Sequence, residues 1–203
     1  MISLISFASI PSKLHSIYSD GVGMAGSNRL ILVDTNIIIE AVRTECWNGL
    51  RGYYRLVTVE KCREEAQSGI ARTPGYVVVE DNHLSSGIQI VAVSDADRAL
   101  LLTVCTEAAV LDYGERDLWA HAYSRGDDWG AVCADQAAVR VAVRLGWGDR
   151  LESLEELVTA AGLRTRLPLN NHYSRKRLSI WRTKFLLVGT SETRDLCQGR
   201  TIQ

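Results

Sequence analysis

Four acidic residues of this 203-residue chain stand where carboxylate chemistry would need them. Asp34 follows the aliphatic run Leu30-Ile31-Leu32-Val33 and precedes Thr35 and Asn36 in "LILVDTNIII". Asp135 closes a second short apolar stretch, "GAVCAD", residues 130–135. A run this short, β-branched and unalternating suits an inner strand of a parallel sheet, buried on both faces. A carboxylate straight after such a strand is costly to keep ionised unless something positive meets it. Asp at a strand-to-helix junction also serves as a plain helix cap, and the triplet alone does not separate the two jobs. Two carboxylates at one sheet edge repel each other, and a divalent cation is the usual way to keep both charged.

Two helices between these strands supply the other acids. At about 100° per residue, the helix opening at Thr58 has the stripe Val59, Cys62, Ala66 and Ile70, with Glu65 at its border. Glu60 and Glu64 fall on the far, solvated side, although the short spacing from Asp34 leaves either able to replace Glu65. In "DYGERDLWAHA", Leu118 and Ala122 mark the buried side, Glu115 sits with them, and Asp117 lies farther round. Asp112 stands three residues before Glu115, so a capping box explains the spacing equally well. The four histidines, 15, 83, 121 and 172, show no organised pattern, and no Ser-His-Asp or Cys-His spacing competes. His121, on the helix of Glu115, reads as a packed or surface residue rather than a ligand.

These acids need a scaffold of alternating strands and helices. Strands are expected at 29–34, 54–59 and 130–135. Helices are expected from Asn36, from Thr58 (as N-cap) to Gly69, over 94–108 behind Ser94, and over 111–126, 136–146, 151–162 and 172–187. "YVVVE" fits a strand or a loop. The alternation predicts an α/β fold, a three-layer α/β/α sandwich around a central parallel sheet. Ligands gather beyond the C-terminal strand ends of such a sheet. Residues 1–28, rich in Ser and Gly, read as an extension, 29–163 as the domain, and 164–203 as a basic helix and tail.

With 46% hydrophobic and 23% charged residues, the composition is that of a soluble globular protein. No apolar run reaches the length of a membrane span. The first residues have no positive charge ahead of their apolar patch, so they make a poor signal peptide. Five cysteines without a CxxC pair point to reduced thiols in a cytoplasm, and against a disulfide framework or a zinc site. The charge is unevenly spread. Residues 164–203 hold nine Lys or Arg against two acids, while 1–163 hold 14 against 22. Within 164–185, Arg175, Lys176, Arg177, Arg182 and Lys184 are interleaved with His172, Tyr173, Trp181 and Phe185. Such a pattern suits RNA, with cations on phosphates and rings on unpaired bases. It equally suits a helix whose Leu178, Trp181 and Phe185 pack on the domain.

Taken in order, "VDTNIII", "VTVEKCREE", "LDYGERDLWAHA" and "VCADQAAVRVAVRLGW" resemble the PIN-domain family, in particular the VapC-like toxin ribonucleases. The resemblance covers roughly residues 29–160. It implies a parallel-sheet sandwich whose acids bind Mg²⁺ or Mn²⁺ and cut RNA. Carried over by position, Asp34, Glu65, Glu115 and Asp135 form the catalytic cluster. Asp34, Glu115 and Asp135 are then the metal ligands, with Asn36 and Asp117 supporting. The tail contacts to RNA would be Arg175, Lys176, Arg177, Trp181, Arg182 and Lys184. A homodimer and an antitoxin partner are implied in the same way. Many relatives carry a second Asp after the last acid; here Gln136 stands there, which bears on a second metal. The haloacid dehalogenase type also places Asp after a first strand, but wants another Asp two residues on, where this chain has Asn36. A PIN-like module that binds RNA or protein without cutting is the other reading.

Overall fold

The aliphatic run becomes strand β1 (Leu30–Val33), with every side chain buried. Leu30 and Leu32 enter one apolar core, while Ile31 and Val33 enter another on the opposite face of the sheet. That period of two is why the run is apolar throughout. The computed structural model describes residues 27–68, 77, 79–84 and 86–198. After β1 come α1 (Thr35–Arg43), α2 (Trp47–Tyr53), β2 (Arg55–Val59), α3 (Glu60–Ser68), α4 (Asp81–Leu84) and β3 (Ile88–Val91). Then follow α5 (Asp95–Val104), α6 (Tyr113–Ser124), β4 (Gly130–Val132), α7 (Gln136–Arg144), β5 (Leu151–Glu152), α8 (Leu154–Ala160) and α9 (Arg175–Gln198).

The strands form one parallel sheet in the order β3-β2-β1-β4-β5. Helices α1, α2, α4 and α8 bury their apolar residues on one face, and α5, α6, α7 and α9 on the other. Helix α3 straddles the two, giving Cys62 to one core and Ala66 to the other. This is the expected three-layer sandwich. Cys46, Cys62, Cys105 and Cys133 are free and buried, and no described helix is long and apolar enough to cross a membrane.

Several local expectations need correction. Thr58 does not cap α3. It lies inside β2, where its hydroxyl donates to the Val33 carbonyl (2.8 Å) and ties β2 to β1. Residues 151–152 form strand β5 rather than the first turn of a helix. The helix starts after Ser153, whose side chain forms a capping box with Glu156. Ser94 does cap α5, accepting from Asp97 N (3.1 Å). Strand β3 and helices α2 and α4 have no counterpart among the expected elements. The extension at 1–28, except its last two residues, lies outside the described residues, as do Gly69 and, in "YVVVE", Tyr76 and Val78; the described Val77, Val79 and Glu80 belong to no helix or strand.

The basic C-terminal region packs on the body as far as Phe185. Leu178, Trp181 and Phe185 are buried in the core that α6 and α7 share. Arg175 N donates to Glu155 Oε2 (2.7 Å) in the first turn of α8, just past the C-terminal end of β5. Seven residues on, Arg182 pairs with Asp149 (2.7 Å), just before β5 begins. Helix α9 therefore runs antiparallel to β5, with its N-terminus at the edge where the strands end. A strap precedes it along α1. Arg166 N donates to the Thr44 carbonyl (3.0 Å), and Arg43 Nη2 to the Pro168 carbonyl (2.8 Å).

Candidate functional site

In the strand order β3-β2-β1-β4-β5, the direction of winding reverses between β1 and β4. The crevice at such a reversal is where parallel sheets bind ligands. Asp34 and Asp135 follow those two strands. The ladder between them continues to Asp34, whose N–H donates to the Val132 carbonyl (3.3 Å). Both acids cap helices as well. Asp34 Oδ1 accepts from Thr35 N (2.6 Å), and Asp135 Oδ1 accepts from Ala137 N and Ala138 N (2.6 and 3.0 Å). Capping uses one oxygen of each carboxylate, so cap and ligand are compatible roles. The positive ends of α1 and α7 also favour negative charge at this edge.

Glu115 sits in the first turn of α6 and is only 7% exposed. The capping box is not formed, since the Asp112 side chain makes no cap bond; the Asp112 backbone only tempers the rise of the Glu115 carboxyl. Burial is the main influence on Glu115, followed by the charges of Asp34 and Asp135, and together they push its carboxyl up to about 9. Asp34, 1% exposed, is pushed up to about 7 by burial, against the pull of the Thr35 N–H, with Glu65 and Asp135 adding repulsion. Asp34, Glu115 and Asp135 thus act on one another electrostatically, and Glu65 acts on Asp34. No Arg or Lys is among the leading influences on Asp34 or Glu115.

Glu65 is half-buried, while Glu60 and Glu64 are exposed, as the helical angles predict. Its two oxygens are already committed. Oε1 accepts from Gly114 N (3.1 Å), and Oε2 from the Thr35 hydroxyl (2.9 Å). Glu65 therefore ties the first turns of α1 and α6 together and fixes the spacing of Asp34 and Glu115. Gly114 permits this approach: a Cβ there would collide with Glu65 Oε2 and come within 3.0 Å of Cys62 Sγ. Asn36 is exposed and its amide lies 3.5 Å from Asp34 Oδ2, a weak contact. Asp117 is buried but belongs elsewhere, because Arg98 Nε and Nη2 grip both its oxygens at 2.7 Å. His121 is half-buried against Arg125 (2.9 Å), and its own burial, then the charge of Arg125, lower its pKa.

The sequence signals did not reveal two thiols on this crevice. Cys62 Sγ is 4.0 Å from Asp34 Oδ1, and burial beside Asp34, Glu115 and Asp135 raises the Cys133 thiol well above its usual range. Both stay protonated and make the crevice less polar, which deepens the burial of Asp34. The basic residues of α9 divide. Arg175, Lys176 and Arg177 begin the helix at the acid edge, whereas Arg182 is held by Asp149 toward the opposite edge. Arg177 stacks on Trp181 (4.9 Å) and Lys184 on Phe185 (5.6 Å), while the Trp181 ring itself is buried.

As they stand, no three His, Cys, Asp or Glu side chains among the described residues are grouped closely enough to hold an ion. The donor chemistry nevertheless fits one. Buried carboxylates that repel each other without a cation gain most from a hard divalent ion, and oxygen-only ligands select Mg²⁺ or Mn²⁺ over zinc. Asp34, Glu115 and Asp135 are the side chains that would hold it. No protein-family model and no curated protein matches this chain.

Proposed function

We propose that this protein is a Mg²⁺- or Mn²⁺-dependent endoribonuclease, with Asp34, Glu115 and Asp135 as metal ligands. One observation carries the reading. Two buried carboxyls, Asp34 and Glu115, lie near enough for the charge of one to raise the other at the winding reversal of a parallel sheet, with no basic residue among their leading influences. When bound, the ion would activate water and relieve charge at phosphorus and the leaving oxygen. The protein's own part is to give up the protons of Asp34 and Glu115 and hold their carboxylates in place. Glu65 does the holding, through Thr35 and Gly114. The N-terminal turn of α9, with Arg175 and Lys176, supplies cations for the phosphates of an incoming strand. RNA as the substrate, a homodimer and an antitoxin-like partner are proposed from the resemblance to toxin ribonucleases and the basic tail.

The test is cleavage of single-stranded RNA by the purified chain with Mn²⁺, with Mg²⁺ and with EDTA. Cleavage that needs the ion and disappears in Asp34→Asn supports the proposal. Metal-dependent RNA binding without cleavage would reassign the chain to a non-cutting module. Full activity in Asp34→Asn or in EDTA would refute the metal site.

A further inference from the structure

The strap before α9 ends at Tyr173, which the proposed site does not use. Asn170 N and Nδ2 donate to the two oxygens of Glu40 (2.8 and 3.1 Å), and Arg43 closes the same carboxylate from the other side (2.7 and 2.8 Å). These bonds fix the strap along α1, which Asp34 caps. Two residues past Tyr173, Arg175 is bonded to the first turn of α8 through its N–H and, at 3.2 Å, through Glu156. Both α1 and α8 begin at the edge where the acids lie. Tyr173 is held between these two anchors, half-buried against the core of that face.

Its ring position is therefore set by packing. Its hydroxyl makes no hydrogen bond to any described residue. Burial, then the charges of Glu40 and Asp34, push the phenol up to about 12 against the opposing charge of Arg43, so it keeps its proton at neutral pH. An uncommitted O–H donor at an acidic edge has a specific use. A Lys or Arg in its place would pair with Asp34 and compete with a cation, whereas a phenol donates without bringing charge. Arg175 and Lys176, two and three residues on, supply the charge from the first turn of α9.

We infer that Tyr173 contacts the substrate directly, its hydroxyl donating to a phosphate oxygen of single-stranded RNA next to the phosphate at the acids. The inference rests on the ribonuclease reading above, and its test is separable from it. Tyr173→Phe keeps the ring and its packing and removes only the donor. In the full chain carrying Asp34→Asn, which holds the RNA uncut, fluorescence anisotropy with a labelled single-stranded RNA oligonucleotide measures affinity in EDTA. Adding Tyr173→Phe should weaken binding by about tenfold, the scale of one hydrogen bond to a charged group. In the cleaving protein with Mn²⁺, the same change should raise KM and leave kcat and the melting midpoint unaltered. Equal affinity with and without the hydroxyl overturns the inference, and so does failure of the Asp34→Asn chain to bind RNA. Failure of the unmodified chain to cleave RNA with Mn²⁺ counts against the ribonuclease reading, whatever the binding result.

Discussion

Asp34 and Glu40 stand at the start and in the middle of the same helix, and both are almost wholly out of water. Their circumstances are opposite. Glu40 is gripped by Arg43 and Asn170, and these bonds pull its carboxyl below the usual range despite burial. Asp34 meets other acids, and burial pushes it up to about 7. Asp117 and Glu115 repeat the contrast on α6, one clamped by Arg98, the other raised to about 9. A buried acid that serves the fold arrives with its cation. The two without one share a crevice, and perturbed groups gathered in a cleft are the usual mark of a functional site.

The largest expected effect comes from neutralising Asp34. Asp34→Asn should lower RNA cleavage at least about a hundredfold, the scale of losing one electrostatic partner of a transition state. Its melting midpoint in EDTA should hold or rise, because a repelled charge is removed. The pH dependence of the metal-free protein follows from the same groups. Their folded pKa values lie above those of the unfolded chain, so the native state binds more protons in between. Stability should be greatest in mild acid and fall as pH climbs through about 7 and then about 9. Thermal melts in EDTA from about pH 5 to about pH 9 should show this as a loss of several degrees. Asp34→Asn and Glu115→Gln should each flatten the profile.

The same chemical change at the paired acid should have the opposite sign. Glu40→Gln should destabilise by about 2 kcal/mol, since Arg43 and the strap lose their charged acceptor. Urea unfolding of the metal-free protein compares it with Asp34→Asn; a matching loss in the two would erase the contrast. Gly114→Ala should cost about 1–3 kcal/mol by driving the Glu65 carboxylate from its seat, with a fall in cleavage that denaturant melts and RNA assays would follow together. At the small end, Glu60→Gln and Glu64→Gln should stay within about 0.5 kcal/mol and leave cleavage unchanged, while Glu65→Gln should reduce it. Loss of activity at 60 or 64 instead would mean that the exposed face of α3 serves the site.

Much of this was legible from residue patterns because it depends on periodicity. The uninterrupted run at 30–33 suited an inner strand, which it is, and that places the following Asp at the C-terminal edge. Helical angles put Glu65 at the border of the buried face and Glu60 and Glu64 in solvent, as the folded helix has them, although the spacing from Asp34 had left all three open. Short elements escaped: β5 has two residues, and β3 is an edge strand of four, only partly buried. Thr58 misled because a hydroxyl that reads as a cap instead bonds across the sheet to Val33. Long-range pairings left no local trace. Arg98 and Asp117 are separated by an entire helix boundary, and only the folded chain brings Asn170 to Glu40. The pairing of Glu40 with Arg43 did have a signal, their three-residue spacing on one helix face.

Isothermal titration of Mn²⁺ into the full chain near neutral pH tests the central claim most directly. Asp34 and Glu115 hold protons that an ion must displace, so binding should release protons and its heat should vary with the ionisation enthalpy of the buffer. Asp34→Asn should lose most of that binding, while Glu60→Gln should keep it. An Asp34→Asn protein that takes up Mn²⁺ as well as the unaltered chain, with the same proton release, would contradict the account.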